Sequence, residues 1–147
     1  MLPFVEAQPS RESLWRAINL FGRNVASYKF ALGGALLELA GEGKTFVTLE
    51  ELAGPFGLRI AAHLRQADTQ GTAAGSKFLD ACRAYNRGEL DEARLRAITA
   101  RLGFVNVIDA FHVVNRDAVP LRFFADERAG RKGIALTDDL LRLVETA

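Results

Sequence analysis

The sequence predicts an α+β domain dominated by helix: a helical bundle, then a β-hairpin, then a C-terminal helix. Three observations carry this expectation. Apolar residues recur at helical spacing between residues 11 and 102, as in Leu14, Trp15, Ile18 and Phe21. Residues that cap helices, Ser10, Thr48, Ser76, Asp91 and Thr137, stand where such segments begin. Past residue 104 the texture becomes short, mixed and β-branched, and "VPLRFFADERAGRKGIALT" reads as two strands around a loop at 126–133. Helices followed by a hairpin and a helix also have the character of a winged helix.

The elements follow in order. Residues 1–9 read as an extended arm stopped by Pro9, and Ser10 caps a helix over 11–21. "GRN" at 22–24 breaks it. Ser27 then caps a helix over 28–40, "YKFALGGALLELA", apolar almost all round and therefore central. Gly33 and Gly34 cost helix propensity there, which fits close approach of a neighbouring helix. "TFVT" reads as a short strand. Thr48 and Glu51 form a capping box for "LEELAGPFGLRIAAHLRQ", which Gly54, Pro55 and Gly57 are expected to kink or split. Ser76 caps a helix over 77–86, "NRGELD" is a turn, and Asp91 leads "EARLRAITARL", closed by Gly103. Residues 104–114 fit helix and strand equally. Thr137 caps "DDLLRLVET". The chain reads as one domain, 1–147, with a helical part at 10–103 and a hairpin-plus-helix part at 104–147.

A length of 147 residues is enough to bury a sizeable core, and 49% hydrophobic with 25% charged residues fits a globular protein. The net charge is +1, so any basic surface has to be local. The single cysteine, Cys82, fits a reducing compartment. No secretory signal or membrane-length apolar run is visible, which makes the expected setting cytoplasmic, without a membrane partner.

"GTAAGSK", residues 71–77, raises the question of a phosphate-binding loop. Three residues, where the nucleotide-binding consensus has four, separate Gly71 from Gly75, Ser76 precedes Lys77, and Phe78 replaces the metal-binding hydroxyl. A helix rather than a strand leads into it. The stretch therefore reads as a connector ending in a helix cap. His63, Arg65, Gln66, Gln70 and Lys77 flank that cap, a set suited to phosphates and base edges as well as to a solvated loop. Tyr28 and Lys29 open the second helix, where a lysine opposes the helix dipole unless a phosphate docks beside it. Arg122, Arg128, Arg131 and Lys132 mark the hairpin, suiting either a DNA backbone or a guarded strand edge. Asp109 and His112 in "DAFH" could meet on one helical turn, but a catalytic zinc has three protein ligands. No nucleophile motif or carboxylate cluster accompanies them. The expectation is no catalytic residue, no metal site and no cofactor in this chain.

Together "INLFGRNVASYKFALGGALLELA", "VTLEELAGPF", "LRQ", "GFVNVIDAFHVVN" and "RFFADERAGRKGIALTDDLLRL" resemble the N-terminal accessory region of bacterial HNH-endonuclease-type restriction and defence proteins. The resemblance runs through roughly 15–145 and lacks the His–Asn–His module itself. It implies DNA restriction in the parent protein, with a divalent metal only in a separate nuclease domain. Two readings follow. In one, the chain is a DNA-binding domain that reads a target or a modified base in double-stranded DNA, with Trp15, Tyr28 or Tyr85 available to stack on an extruded base. In the other it is an assembly module, a homodimer or a recruiter of a partner, using the apolar second helix and "FVNVIDAFHVV".

Overall fold

The computed structural model describes residues 10–20, 26–66, 76–114 and 116–146. The expected arm at 1–9 and most of the glycine-containing loop, including Gln70, lie outside them. The architecture is α+β and mostly helical: α1 (Arg11–Leu20), α2 (Ala26–Gly41), β1 (Phe46–Thr48), α3 (Leu49–Gln66), α4 (Lys77–Asn86) and α5 (Glu92–Ile98). A π-helical turn (Thr99–Gly103), α6 (Val107–Ala110), β2 (Val113–Val114), β3 (Asp117–Ala118), β4 (Phe124–Glu127), α7 (Arg128–Arg131), β5 (Gly133–Leu136) and α8 (Asp138–Thr146) complete it. No helix among the described residues is long and apolar enough to cross a membrane.

Local chemistry sets most of the boundaries. Ser10 Oγ accepts from the Ser13 amide (3.0 Å), Ser76 Oγ from the Leu79 amide (3.2 Å) and Asp91 from the Arg94 amide (2.8 Å). Thr48 and Glu51 make the reciprocal capping box, 3.1 Å one way and 2.9 Å the other. α2 already runs from Ala26, so Ser27 lies inside the helix and does not cap it.

α3 is the centre of the bundle, packed on α2, α4, α5 and the π-turn. It passes through Pro55 as one helix instead of splitting. Its buried face, with Leu52, Phe56, Ile60 and Leu64, gains more from continuous packing than one missing amide costs. Phe56 is its hub: the ring lies 6.1 Å from Tyr28, 6.0 Å from Phe78 and 4.9 Å from Phe104. The helix expected to end at Gly103 widens at Thr99, whose buried hydroxyl donates to the Leu95 carbonyl at 2.7 Å. Gly57 leaves room for that hydroxyl.

Residues 104–114 resolve into a turn, α6 and the edge of the small β2–β3 pair. The hairpin is present, but a helical turn, α7, forms its tip, and Lys132 closes it with a left-handed φ of 56°. The antiparallel sheet runs β1–β5–β4, with Thr48 opposite Gly133 and Glu127 also opposite Gly133. The winged-helix character is not established by this topology.

Candidate nucleic-acid interface

Tyr28, at the start of α2, joins the middle of α3 to the start of α4. Its ring meets Phe56 of α3 and Phe78 of α4 edge-on, and its hydroxyl bonds Ser76. Burial, with Cys82 nearby, raises the phenol pKa. The start of α2 and the start of α4 therefore meet the middle of α3, whereas the last turns of α3 meet the end of α4 at Asn86. Arg65 is exposed at the end of α3 and donates to Oδ1 of Asn86, the last residue of α4, at 2.9 Å, while Asn86 Nδ2 donates to the Ala61 carbonyl at 2.9 Å. A neutral amide thus orients the guanidinium without cancelling its charge. Gln66 is exposed beside Arg65 in the last turn of α3; Lys77 is exposed at the start of α4, nine residues along that helix from Asn86, and no carboxylate among the described residues bonds to it. His63 is half-buried, with Nε2 enclosed and unbonded, so it faces inward instead of joining the outer group.

Lys29 departs from the expected site. Its side chain is 2% exposed and Nζ donates to the Val113 carbonyl at 2.7 Å. Burial lowers its pKa. The ammonium is turned from the helix start into the protein, where a phosphate cannot reach it. Its role is to tie α2 to β2.

The hairpin cations are also committed. Arg128 is bonded to Asp126 and to Asp109, each at 2.7 Å. The hydrogen bonds from Arg128 hold the Asp126 carboxyl down to about 2. Arg131 pairs with Glu127 at 2.9 Å and lies 3.9 Å over the Phe46 ring. Lys132 is exposed, but its carbonyl accepts the Leu49 amide, which pins the hairpin tip to the first residue of α3. Arg122 is exposed and sits 6.0 Å from the centre of the Phe124 ring. Arg65 lies 16 residues along α3 from Leu49, about 24 Å by helix rise. The start of α2 meets the start of α4, Arg65 meets the end of α4, and the wing stands at the other end of α3.

Asp109 and His112 do not pair, because Asp109 faces Arg128. The His112 ring is 1% exposed, among Phe111, Phe123 and Phe124. Its Nε2 accepts from the Phe123 amide at 2.9 Å, and Nδ1 has no partner. Burial first, then the charges of Arg122 and Lys29, depress its pKa to about 3. Among the described residues, no group of three or more His, Cys, Asp or Glu side chains is placed to hold a metal. Trp15 packs edge-on to Phe123 (4.9 Å) and against Phe111 (5.5 Å), while Tyr85 is half-buried against the core.

Cys82 is fully buried, and burial pushes its thiol up to about 12. Alkylation requires the thiolate. The native protein is therefore expected to resist iodoacetamide at pH 8 and to react fully in denaturant; fast native labelling would contradict its placement in the core.

Sequence reasoning missed Asn86 and Phe30, and set Asp109 beside His112, where it faces Arg128. Asn86 was read only as the start of a turn, though an amide beside an arginine-bearing helix is a plausible orienting group. Compared with known family models, curated proteins and solved structures, the chain matches none.

Proposed function

We propose that this chain is the DNA-binding, target-recognition domain of a restriction or phage-defence nuclease of the HNH type. Cleavage and its divalent metal belong, in this reading, to a separate nuclease domain, and the setting is the bacterial cytoplasm. The supporting observation is that Arg65 and Gln66 at the end of α3 and Lys77 at the start of α4 are exposed, with no carboxylate among the described residues bonded to Arg65 or Lys77. Exposed cations suit phosphates of a DNA backbone, and an exposed amide suits a base edge. The resemblance to nuclease accessory regions supplies the setting. The ion-paired hairpin arginines have no part in the contact.

The test is binding to a 20-base-pair duplex across a salt series. Each neutralised phosphate contributes about 0.9 to the slope of log K against log salt. Arg65→Ala with Lys77→Ala is expected to flatten the slope by about two, while Arg128→Ala and Arg131→Ala leave it in place. The reverse pattern would move the interface to the wing, and salt-insensitive or absent binding would reject the DNA reading. Arg65→Ala alone is expected to cost about 1–3 kcal/mol on a preferred sequence and less on others.

One observation favours the assembly reading. The exposed large hydrophobics, Phe30, Val105 and Val113, all fall in the second helix or in residues 104–114. A dimer or partner complex built on them would persist at high salt, where DNA contact weakens.

A further inference from the structure

α2 is buried along most of its length, yet Phe30 is 66% exposed. Its ring borders an open cleft of about 440 Å³ between α1 and α2. That size falls within the range of about 300–1,000 Å³ common for ligand clefts. Trp15, Leu37 and Leu143 supply further apolar wall.

Gly33 and Gly34 determine the polar part of the floor. A Cβ on Gly33 would run into the Asn19 carboxamide, and one on Gly34 would come within 2.7 Å of the Arg59 guanidinium. With both positions glycine, two planar polar groups lie against the backbone of α2. Asn19 Nδ2 donates to the Trp15 carbonyl at 2.8 Å, which orients the amide and leaves Oδ1 to accept. Arg59 is held by Glu38 at 3.0 Å. Arg16 is exposed on the rim, and no carboxylate among the described residues bonds to it.

An aromatic face left in water, an oriented amide and a rim cation are complementary to a planar heteroaromatic ring that carries a phosphate. We propose that the cleft receives one unstacked nucleobase of the bound DNA, with Phe30 as the stacking face, Asn19 contacting the base edge and Arg16 the adjoining phosphate. This rests on the DNA reading above. Extrusion is easiest where a base is mispaired, so the site favours duplexes that give up a base cheaply.

The experiment compares a fully paired duplex with one carrying a single central mismatch, both at low salt. The expected result is about tenfold tighter binding of the mismatched duplex. Phe30→Ala should bring the ratio of the two affinities close to one, and Phe30→Trp should restore it. The Phe30 site is solvent-facing, so folding is not at stake. A second measurement records the Trp15 indole resonance while a single-stranded trinucleotide is added. Equal affinity for the two duplexes, with no Trp15 shift, would overturn the cleft while leaving the DNA reading standing. A Trp15 shift lost in Phe30→Ala, without binding of either duplex, would keep the cleft and overturn the duplex reading. A self-associating chain that becomes monomeric in Phe30→Ala, with no trinucleotide shift, would give the cleft to a second copy and overturn the proposal.

Discussion

Acidification from pH 6.5 to 3 is expected to remove about 4–5 kcal/mol of stability through His112 alone, at about 1.4 kcal/mol per pKa unit. The ring is 1% exposed, so its neutral form is held with little relief from solvent. Its folded pKa is near 3 against an ordinary 6.5, with burial the main cause and Arg122 and Lys29 acting in the same direction. Between those values the unfolded chain takes up a proton that the folded chain refuses. The contribution is complete above pH 6.5 and declines as pH falls toward 3. Asp126, held down to about 2, adds a loss in the same direction below about pH 4. Urea unfolding at intervals from pH 7 to 4 measures the slope. His112→Gln offers an oxygen to the Phe123 amide and cannot titrate, and its curve should be nearly flat between pH 6.5 and 4. An unchanged slope in that variant would move the effect to another group.

Gly133→Ala is expected to cost about 3 kcal/mol, a large fraction of a stability of roughly 5–15 kcal/mol. A Cβ there would strike the Val47 carbonyl and lie 2.9 Å from the Thr48 Cα and 2.7 Å from the Phe46 ring. Phe46 could swing aside, but the backbone of β1 could not move without separating from β5. The bond from the Leu49 amide to the Lys132 carbonyl would be disturbed as well. Gly130→Ala is the control, since a Cβ at that position meets nothing within 4 Å. Its effect should stay within about 0.5 kcal/mol. Equal midpoints for the two variants would show that β1 and β5 are not packed this closely.

Short-range chemistry was the readable part of the chain. Ser76 placed the start of α4, and Asp91 and the Thr48–Glu51 pair placed two more helix starts, because an N-cap depends on residues only three positions away. The widening at Thr99 depends on Gly57 of another helix. The candidate site divides in the same way. Arg65, Gln66 and Lys77 flank one connection in the sequence, yet Arg65 meets Asn86, at the far end of α4 from Lys77. The burial of Lys29 depends on Val113, 84 residues away, and the capture of Arg128 depends partly on Asp109, 19 residues away. A lysine in a first helical turn carries no local mark of such a partner. Separation of the wing from the α3–α4 end follows from β1 pairing with β5, which no local motif specifies.

That pairing also has a consequence for synthesis. β1 belongs to the helical part of the chain, while its hydrogen-bonding partner β5 belongs to the hairpin part. At about 5–20 residues per second, the 84 residues between Thr48 and Gly133 take roughly 4–17 seconds to translate. During that interval Val47, fully buried in the finished protein, has no strand to cover it. The nascent chain therefore presents an open edge to other nascent chains and to chaperones until β5 leaves the ribosome. Slower elongation would lengthen that exposure and lower the yield of folded protein without changing one residue.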